Sequence, residues 1–235
     1  MIKKALEYLV GLGEAKILDI GTGKYSDKPV TRICEPTAKA ITATTLTSLV
    51  DYIRSDIDKK SSEKLIVHVI SPSEVSLRSE LNNDSQRDSY IICEALLPNN
   101  LRFGRFVDPE EFNIMLQSSF VDNSDKGLLL KVTGLIQEKT VKEVGDDGTS
   151  QAIVMKTGVA KVGDVIVPNP VTLAPYRTFP EIEQPESKFI FRMQSGPSAA
   201  LFEADGGAWR NDAMERIKAW LEEELHGVNN IRIIS

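Results

Sequence analysis

The chain has little of the chemistry that most recognisable metal and catalytic sites require. Its 235 residues include only two histidines and two cysteines, which argues against a zinc site built from these ligands. Cys34 and Cys93 lie far apart, which is typical of small buried residues in a reducing compartment. No apolar run approaches the roughly 20 residues of a membrane span. We therefore expect a cytoplasmic protein without a metal or cofactor.

Positive charge is also scarce. The chain has 28 Lys and Arg against 34 Asp and Glu, a net charge of −6. Proteins that hold nucleic acid without sequence preference need a surplus of basic residues, so nucleic-acid binding is not expected. The hydrophobic content of 41% and the charged content of 26% are those of an ordinary globular protein. The length allows one large domain or two small ones.

Apolar residues spaced three and four positions apart predict four amphipathic helices. The first ends at Gly11 and Gly13. The second begins at a cap provided by Thr44, Thr45 or Thr47, and the third begins at Asp108 with Pro109 in its first turn. The last has Asp205 or Asn211 as its cap. The apolar residues expected to face inward are Ala5, Leu6, Leu9 and Val10, then Leu46, Leu49, Val50, Ile53 and Ile57, then Phe112, Met115, Leu116 and Phe120, and finally Met214, Ile217, Trp220 and Leu221.

Short β-branched and aromatic runs between Gly and Pro residues predict strands. They cover residues 16–20, 65–70, 74–77, 89–97, 133–144, 150–160, 165–167, 171–174, 189–193, 199–204 and 231–234. Residues 126–132 fit either a buried helix or a strand. The turn signal Gly145, Asp146, Asp147 and Gly148 predicts a long polar hairpin.

The predicted fold class is α+β, with a mostly antiparallel sheet, two or three packed helices and a long projecting β-hairpin. Residues 1–43 are expected to form an N-terminal helix and extended arm, and residues 44–235 the α+β domain. A hairpin that projects from a domain is commonly stabilised by another subunit. We therefore expect a homo-oligomer, with the turn at residues 145–148 as an oligomer contact.

Two local motifs suggest chemistry. The sequence ILDIGTG at residues 17–23 resembles the first motif of Rossmann-type methyltransferases, where glycines let the backbone approach the cofactor. However, Tyr25 replaces the last expected glycine, no helix signal follows, and alternating βαβ units are absent. A strand followed by a glycine turn explains the motif better. Apart from these two motifs, the acidic pair at residues 146–147 lacks the alternating ligands of a calcium loop and is better explained as a solvated turn.

The second motif is the candidate ligand or interface site, which consists of Asp205, Gly206, Gly207, Trp209 and Arg210. Acidic groups beside a glycine pair and a helix start could hold a metal ion or an anion. The alternative is a strand-to-helix turn in which Asp205 binds backbone amides and Trp209 packs in the core, and we favour it. His68 and His226 have no nucleophile motif nearby. No catalytic residue is predicted, and an enzymatic activity is left open.

Four further segments carry a family resemblance. Residues 102–106 (RFGRF), 108–117 (DPEEFNIMLQ), 158–173 (GVAKVGDVIVPNPVTL) and 200–210 (ALFEADGGAWR) resemble the YfdQ-like family, which phages and prophages encode. The resemblance extends from about residue 44 to residue 235 and supplies no catalytic residues. It implies expression in a bacterial cytoplasm during phage growth.

The expected function follows from this resemblance and from the missing catalytic motifs. We expect a phage or prophage accessory protein that acts by homo-oligomeric assembly or by binding a host component. One alternative is a capsid-like, shell-forming subunit. A second is a protein or enzyme that binds a nucleotide or another small molecule near Asp205.

Overall fold

The computed structural model describes residues 2–13, 15–20, 23–26, 38–82, 85–134, 141–146, 151–157, 160–167, 169–194 and 198–235. Their helices are α1 (Ile2–Gly13), α2 (Leu46–Ser55), α3 (Pro109–Ser119), α4 (Ser124–Gly134) and α5 (Trp209–Glu224). The strands are β1 (Ile17–Ile20), β2 (Gly23–Ser26), β3 (Ile41–Ala43), β4 (Leu65–Ser71), β5 (Glu74–Ser79), β6 (Ser89–Glu94), β7 (Val141–Asp146), β8 (Gln151–Thr157), β9 (Ala160–Val167), β10 (Val171–Leu173), β11 (Ser187–Gln194), β12 (Ser198–Glu203) and β13 (Ile231–Ile234). Most neighbouring strands are antiparallel, so the predicted α+β class is confirmed.

The chain divides into two compact units, Met1–Ala38 and Lys39–Ser235. The first contains α1 and the antiparallel pair β1 and β2. Apolar side chains of α1 are strongly exposed, with 78% of Ile2, 56% of Leu6, 63% of Leu9 and 65% of Val10 accessible. These four residues recur at helical spacing and therefore share one side of α1. Within the described residues of the first unit, α1 thus presents an exposed apolar helix face.

One core of the second unit lies between two helices and a five-stranded sheet of order β13-β4-β5-β6-β3. The outer strands β13 and β3 run parallel to their neighbours, while the inner pairs are antiparallel. Leu49 of α2 and Ile217 of α5 pack with Val67 and Leu77 in this core, and all four are fully buried. Alternating burial along β4 arises because successive side chains of a strand point to opposite faces.

The opposite side of this sheet carries a second set of side chains, which we call the open face. It contains Ile66, His68, Ser76, Arg78, Ile92 and Ile234, all placed by alternation with core residues. Glu74, Glu94 and Arg232 follow the same alternation and also belong to it. Ile234 is 47% exposed. Ser76, in the middle of the face, is fully buried. The open face therefore has isoleucines, His68 and the buried Ser76 at its centre and charged side chains at its ends.

The other core is built on the sheet of order β10-β11-β12. Helices α3 and α4 cover it, and Phe112, Phe120, Phe189 and Phe191 are fully buried there. The rings of Phe112 and Phe191 lie 5.7 Å apart between centroids, a spacing favoured by aromatic pairs. A third sheet has the order β7-β8-β9, and Val167 at the end of β9 belongs to the same core.

A segment at residues 175–186 runs between the two cores. Pro175 forms a β-bridge with Phe120 of one core, while Phe179 and Ile182 are buried in the other. The buried side chain of Gln184 organises the segment. Its Oε1 accepts hydrogen bonds from the amides of Arg177 and Thr178 at 3.0 and 3.3 Å, and its Nε2 donates to the carbonyls of Phe179 and Ile182 at 3.0 and 3.3 Å. This amide thereby holds the segment in one shape.

Several details differ from the sequence predictions. Residues 126–132 belong to α4, which continues through Thr133 and Gly134, so the strand predicted to begin at Thr133 is wrong there. Ala208, without a side-chain bond, occupies the N-cap of α5 that was assigned to Asp205 or Asn211. The described residues of the second unit contain four helices, where two or three were expected.

Candidate functional site

The turn between β12 and α5 is organised around the carboxylate of Asp205. Oδ1 accepts a hydrogen bond from the amide of Gly207 at 3.0 Å, and Oδ2 accepts one from the hydroxyl of Ser187 at 2.8 Å. Gly206 and Gly207 have φ values of +63° and +84°, which glycine adopts without steric cost. A Cβ on Gly207 would also collide with Nη1 of Arg210. Asp205 therefore binds a backbone amide, as the strand-to-helix alternative expected.

The side chain of Arg177 lies at the centre of this region, although it comes from a distant part of the chain. Only 5% of the side chain is exposed. Nη1 donates to Oε1 of Glu203 at 2.9 Å, and Nη2 donates to the hydroxyl of Ser187. The guanidinium carbon lies 3.9 Å from the ring centroid of Trp209. Arg177 thus joins the segment at residues 175–186 to β11, β12 and the start of α5, and we call this group of contacts the Arg177 clamp.

The pKa values of the clamp follow from burial and from the neighbouring groups. Burial lowers the pKa of Arg177 to about 10, against the opposing effect of the carboxylates of Glu203 and Asp205. Burial acts to raise the pKa of Asp205. The hydrogen bonds from the amide of Gly207 and from Ser187, with the positive charge of Arg177, outweigh it and lower that pKa below the ordinary value. Both side chains are therefore charged at neutral pH.

The polar groups of the Arg177 clamp mostly bind one another, which leaves few of them free to bind a ligand. Both oxygens of Asp205 already accept hydrogen bonds. The guanidiniums of Arg177 and Arg210 are balanced by the carboxylates of Glu203 and Asp205, so these four side chains carry no surplus charge to attract a phosphate. Nε of Arg177 and Nε1 of Trp209 are buried and have no hydrogen-bond acceptor within the described part of the chain. The arrangement is that of a structural clamp, and ligand binding here stays a prediction.

The structure brings the predicted residues Asp205, Gly206, Gly207, Trp209 and Arg210 together with partners that sequence reasoning missed. Arg177, Ser187 and Phe189 are the missed residues, with the guanidinium carbon of Arg177 5.7 Å from the ring centroid of Phe189. Arg177 lies 28 positions before Asp205 in a loop without regular spacing. No local pattern marks such a residue.

Two other predicted sites are the hairpin turn at residues 145–148 and the methyltransferase-like motif at residues 17–23. Gly145 and Asp146 lie in β7, where Asp146 pairs with Gln151 of β8. Asp147 and Gly148 lie outside the described residues, so the predicted oligomer contact at this turn stays a prediction. In the methyltransferase-like motif, β1 is followed by the antiparallel strand β2. That arrangement agrees with a strand and glycine turn, and it differs from the strand-to-helix connection of the Rossmann fold.

The described ranges lack two other features, a metal-binding cluster and a membrane-spanning helix. No group of three or more His, Cys, Asp or Glu side chains in them is placed to hold a metal ion. None of their helices is long and apolar enough to cross a membrane. Comparison of the chain with protein-family models, with curated proteins and with solved structures found no match.

Proposed function

We propose that this protein acts by assembling with copies of itself, as a non-enzymatic accessory protein of a phage or prophage. The apolar face of α1 carries the proposal. Ile2, Leu6, Leu9 and Val10 expose more than half of their surface, and an exposed stripe of this kind commonly marks a protein–protein contact. The phage setting comes from the family resemblance, and binding of a host component is the second form of the same proposal.

A second copy fits this face for a physical reason. A helix of twelve residues is only marginally stable alone in water, because most helix stability in proteins comes from packing of the apolar face. Pairing of α1 with its equivalent in another copy would bury the same residues on both sides, as a two-fold interface requires. Each fully buried Leu, Ile or Val side chain contributes about 1.5–3 kcal/mol.

The test is the molar mass of the purified full chain, measured by size-exclusion chromatography with light scattering. The double substitution Leu6→Gln and Leu9→Gln should lower the molar mass of the assembly, while Lys4→Gln on the same helix should leave it unchanged. Negative-stain electron microscopy of the unsubstituted protein would show closed particles if the assembly is a shell. A strict monomer at micromolar concentration would contradict the self-assembly form of the proposal.

A further inference from the structure

We infer that the open face of the five-stranded sheet is a second self-contact, in which two copies pack face to face about a two-fold axis. This inference rests on the proposed function and names a surface for it. Its starting point is the distribution of charge. Arg78 and Arg232 lie at one end of the open face, both in register with Ile66, while Glu74 and Glu94 lie at the other end.

The acidic end is unfavourable within a single copy. Glu74 of β5 and Glu94 of β6 are direct cross-strand partners, and alternation places both side chains on the open face. Like charges directly opposite each other on a sheet destabilise it. A positive group supplied from outside the chain would relieve this repulsion. Arg78, on the same strand as Glu74 and at the other end of the same face, has the required charge.

The centre of the open face is mixed in composition, with isoleucines beside His68 and Ser76, and Ser76 is fully buried. The row through its middle contains Ile234, His68, Ser76 and Ile92 as successive register partners, with Ile66 in the next row. The helices that cover this sheet pack on its other side. This middle row contains no Lys, Arg, Asp or Glu, and the cores of protein interfaces are depleted of these residues.

The symmetry of the charges selects a second copy as the partner. Glu74, Ser76 and Arg78 lie on one strand and one face, so Ser76 marks the midpoint between the opposite charges. A two-fold axis that runs across the strands at Ser76 places Arg78 of one copy opposite Glu74 of the other, and the reverse pair follows by symmetry. Within one copy, Nε of Arg78 donates a hydrogen bond to the hydroxyl of Ser76 at 3.0 Å, so the contact with Glu74 of the other copy falls to the Nη groups of Arg78. Packed sheets lie about 10 Å apart, a gap that these groups and a glutamate can span together.

Charge reversal tests this pairing. Glu74→Arg alone and Arg78→Glu alone each create two like-charge contacts across the axis, and each should raise the dissociation constant of the contact at least tenfold. The double variant Glu74→Arg with Arg78→Glu exchanges the two charges and should restore assembly. Glu222→Arg reverses an exposed charge on α5 and serves as the matched control, with no expected effect. The assay is light scattering over a concentration series.

A second readout separates assembly from folding. Glu74→Arg removes the repulsion from Glu94 within the chain, so it should maintain or raise the urea midpoint of the dissociated chain while it weakens assembly. If the unsubstituted protein assembles but the single reversals leave its mass unchanged, the inference is overturned and the proposed function stands. If the single reversals weaken assembly and the double variant stays dissociated, the two-fold pairing is overturned. An unsubstituted protein that is monomeric throughout the series contradicts the proposed function itself.

Discussion

Replacement of Arg177 by methionine tests whether the Arg177 clamp stabilises the fold. Methionine retains an unbranched apolar chain but removes the guanidinium, and with it the hydrogen bonds to Glu203 and Ser187 and the contact with Trp209. A hydrogen bond to a charged group contributes about 1.5–3 kcal/mol, and a desolvated cation–aromatic contact contributes about 2 kcal/mol.

The sum of these contributions overstates the effect. Glu203 is 34% exposed, so water hydrates its carboxylate after the arginine is lost. The variant also avoids the cost of burying a guanidinium. We therefore expect the free energy of unfolding to fall by about 2–4 kcal/mol, within the range seen when a buried charged network is broken. In a unit of this size, that loss lowers the melting temperature by about 10 °C.

Urea unfolding, followed by circular dichroism, measures this change from the midpoint and slope of the transition. Two protein concentrations distinguish dissociation from unfolding. The control is Arg54→Met, because Arg54 is 55% exposed and its ion pair with Glu224 is 3.2 Å long. Exposed pairs of this kind contribute about 1 kcal/mol or less. Equal losses for Arg177→Met and Arg54→Met would refute the clamp.

Two further predictions concern titration. The folded-state pKa of Asp205 lies below its ordinary value of 3.8. The charged carboxylate therefore stabilises the folded protein above about pH 4, and this stabilisation is lost as the pH falls through the folded-state pKa. Asp205→Asn should therefore lower the free energy of unfolding at pH 7, by a margin that shrinks below about pH 4; a constant margin in urea titrations would contradict this. Burial, with a smaller effect from the charge of Glu181, raises the pKa of Cys93 to about 12. In a Cys34→Ser variant, Ellman's reagent at pH 8 should leave the remaining thiol intact until urea unfolds the protein, and rapid labelling of the native protein would contradict its burial.

Local signals predicted the parts of the fold whose causes are local. Asp108 accepts hydrogen bonds from the amides of Glu110 and Glu111, each at 3.0 Å, and so caps α3 as predicted from its place before Pro109. Thr45, one of three candidates, caps α2 by accepting a hydrogen bond from the amide of Ser48 at 3.3 Å. Side-chain type and spacing determine such caps within one helical turn.

Features that depend on distant residues were missed. The run at residues 126–132 carries no decisive period, and its helix is stabilised by packing of Leu129 and Val132 in the core of β10–β12. The parallel partners of β3 and β13 lie far away in sequence, so no turn signal could indicate them. Arg177 was missed for the same reason, because only the folded chain brings it to Asp205 and Trp209.

The segment at residues 175–186 has a consequence for how the second unit unfolds. Its apolar side chains are buried in one core, while Arg177 contacts Phe189 of the other. Opening of either core would therefore disturb the hydrogen bonds around Gln184 that hold the segment. The two cores should consequently share one cooperative transition, with amides on β5 and β11 exchanging through the same global opening. A body that opens only as a whole keeps its surfaces at fixed angles, which a repeating assembly requires.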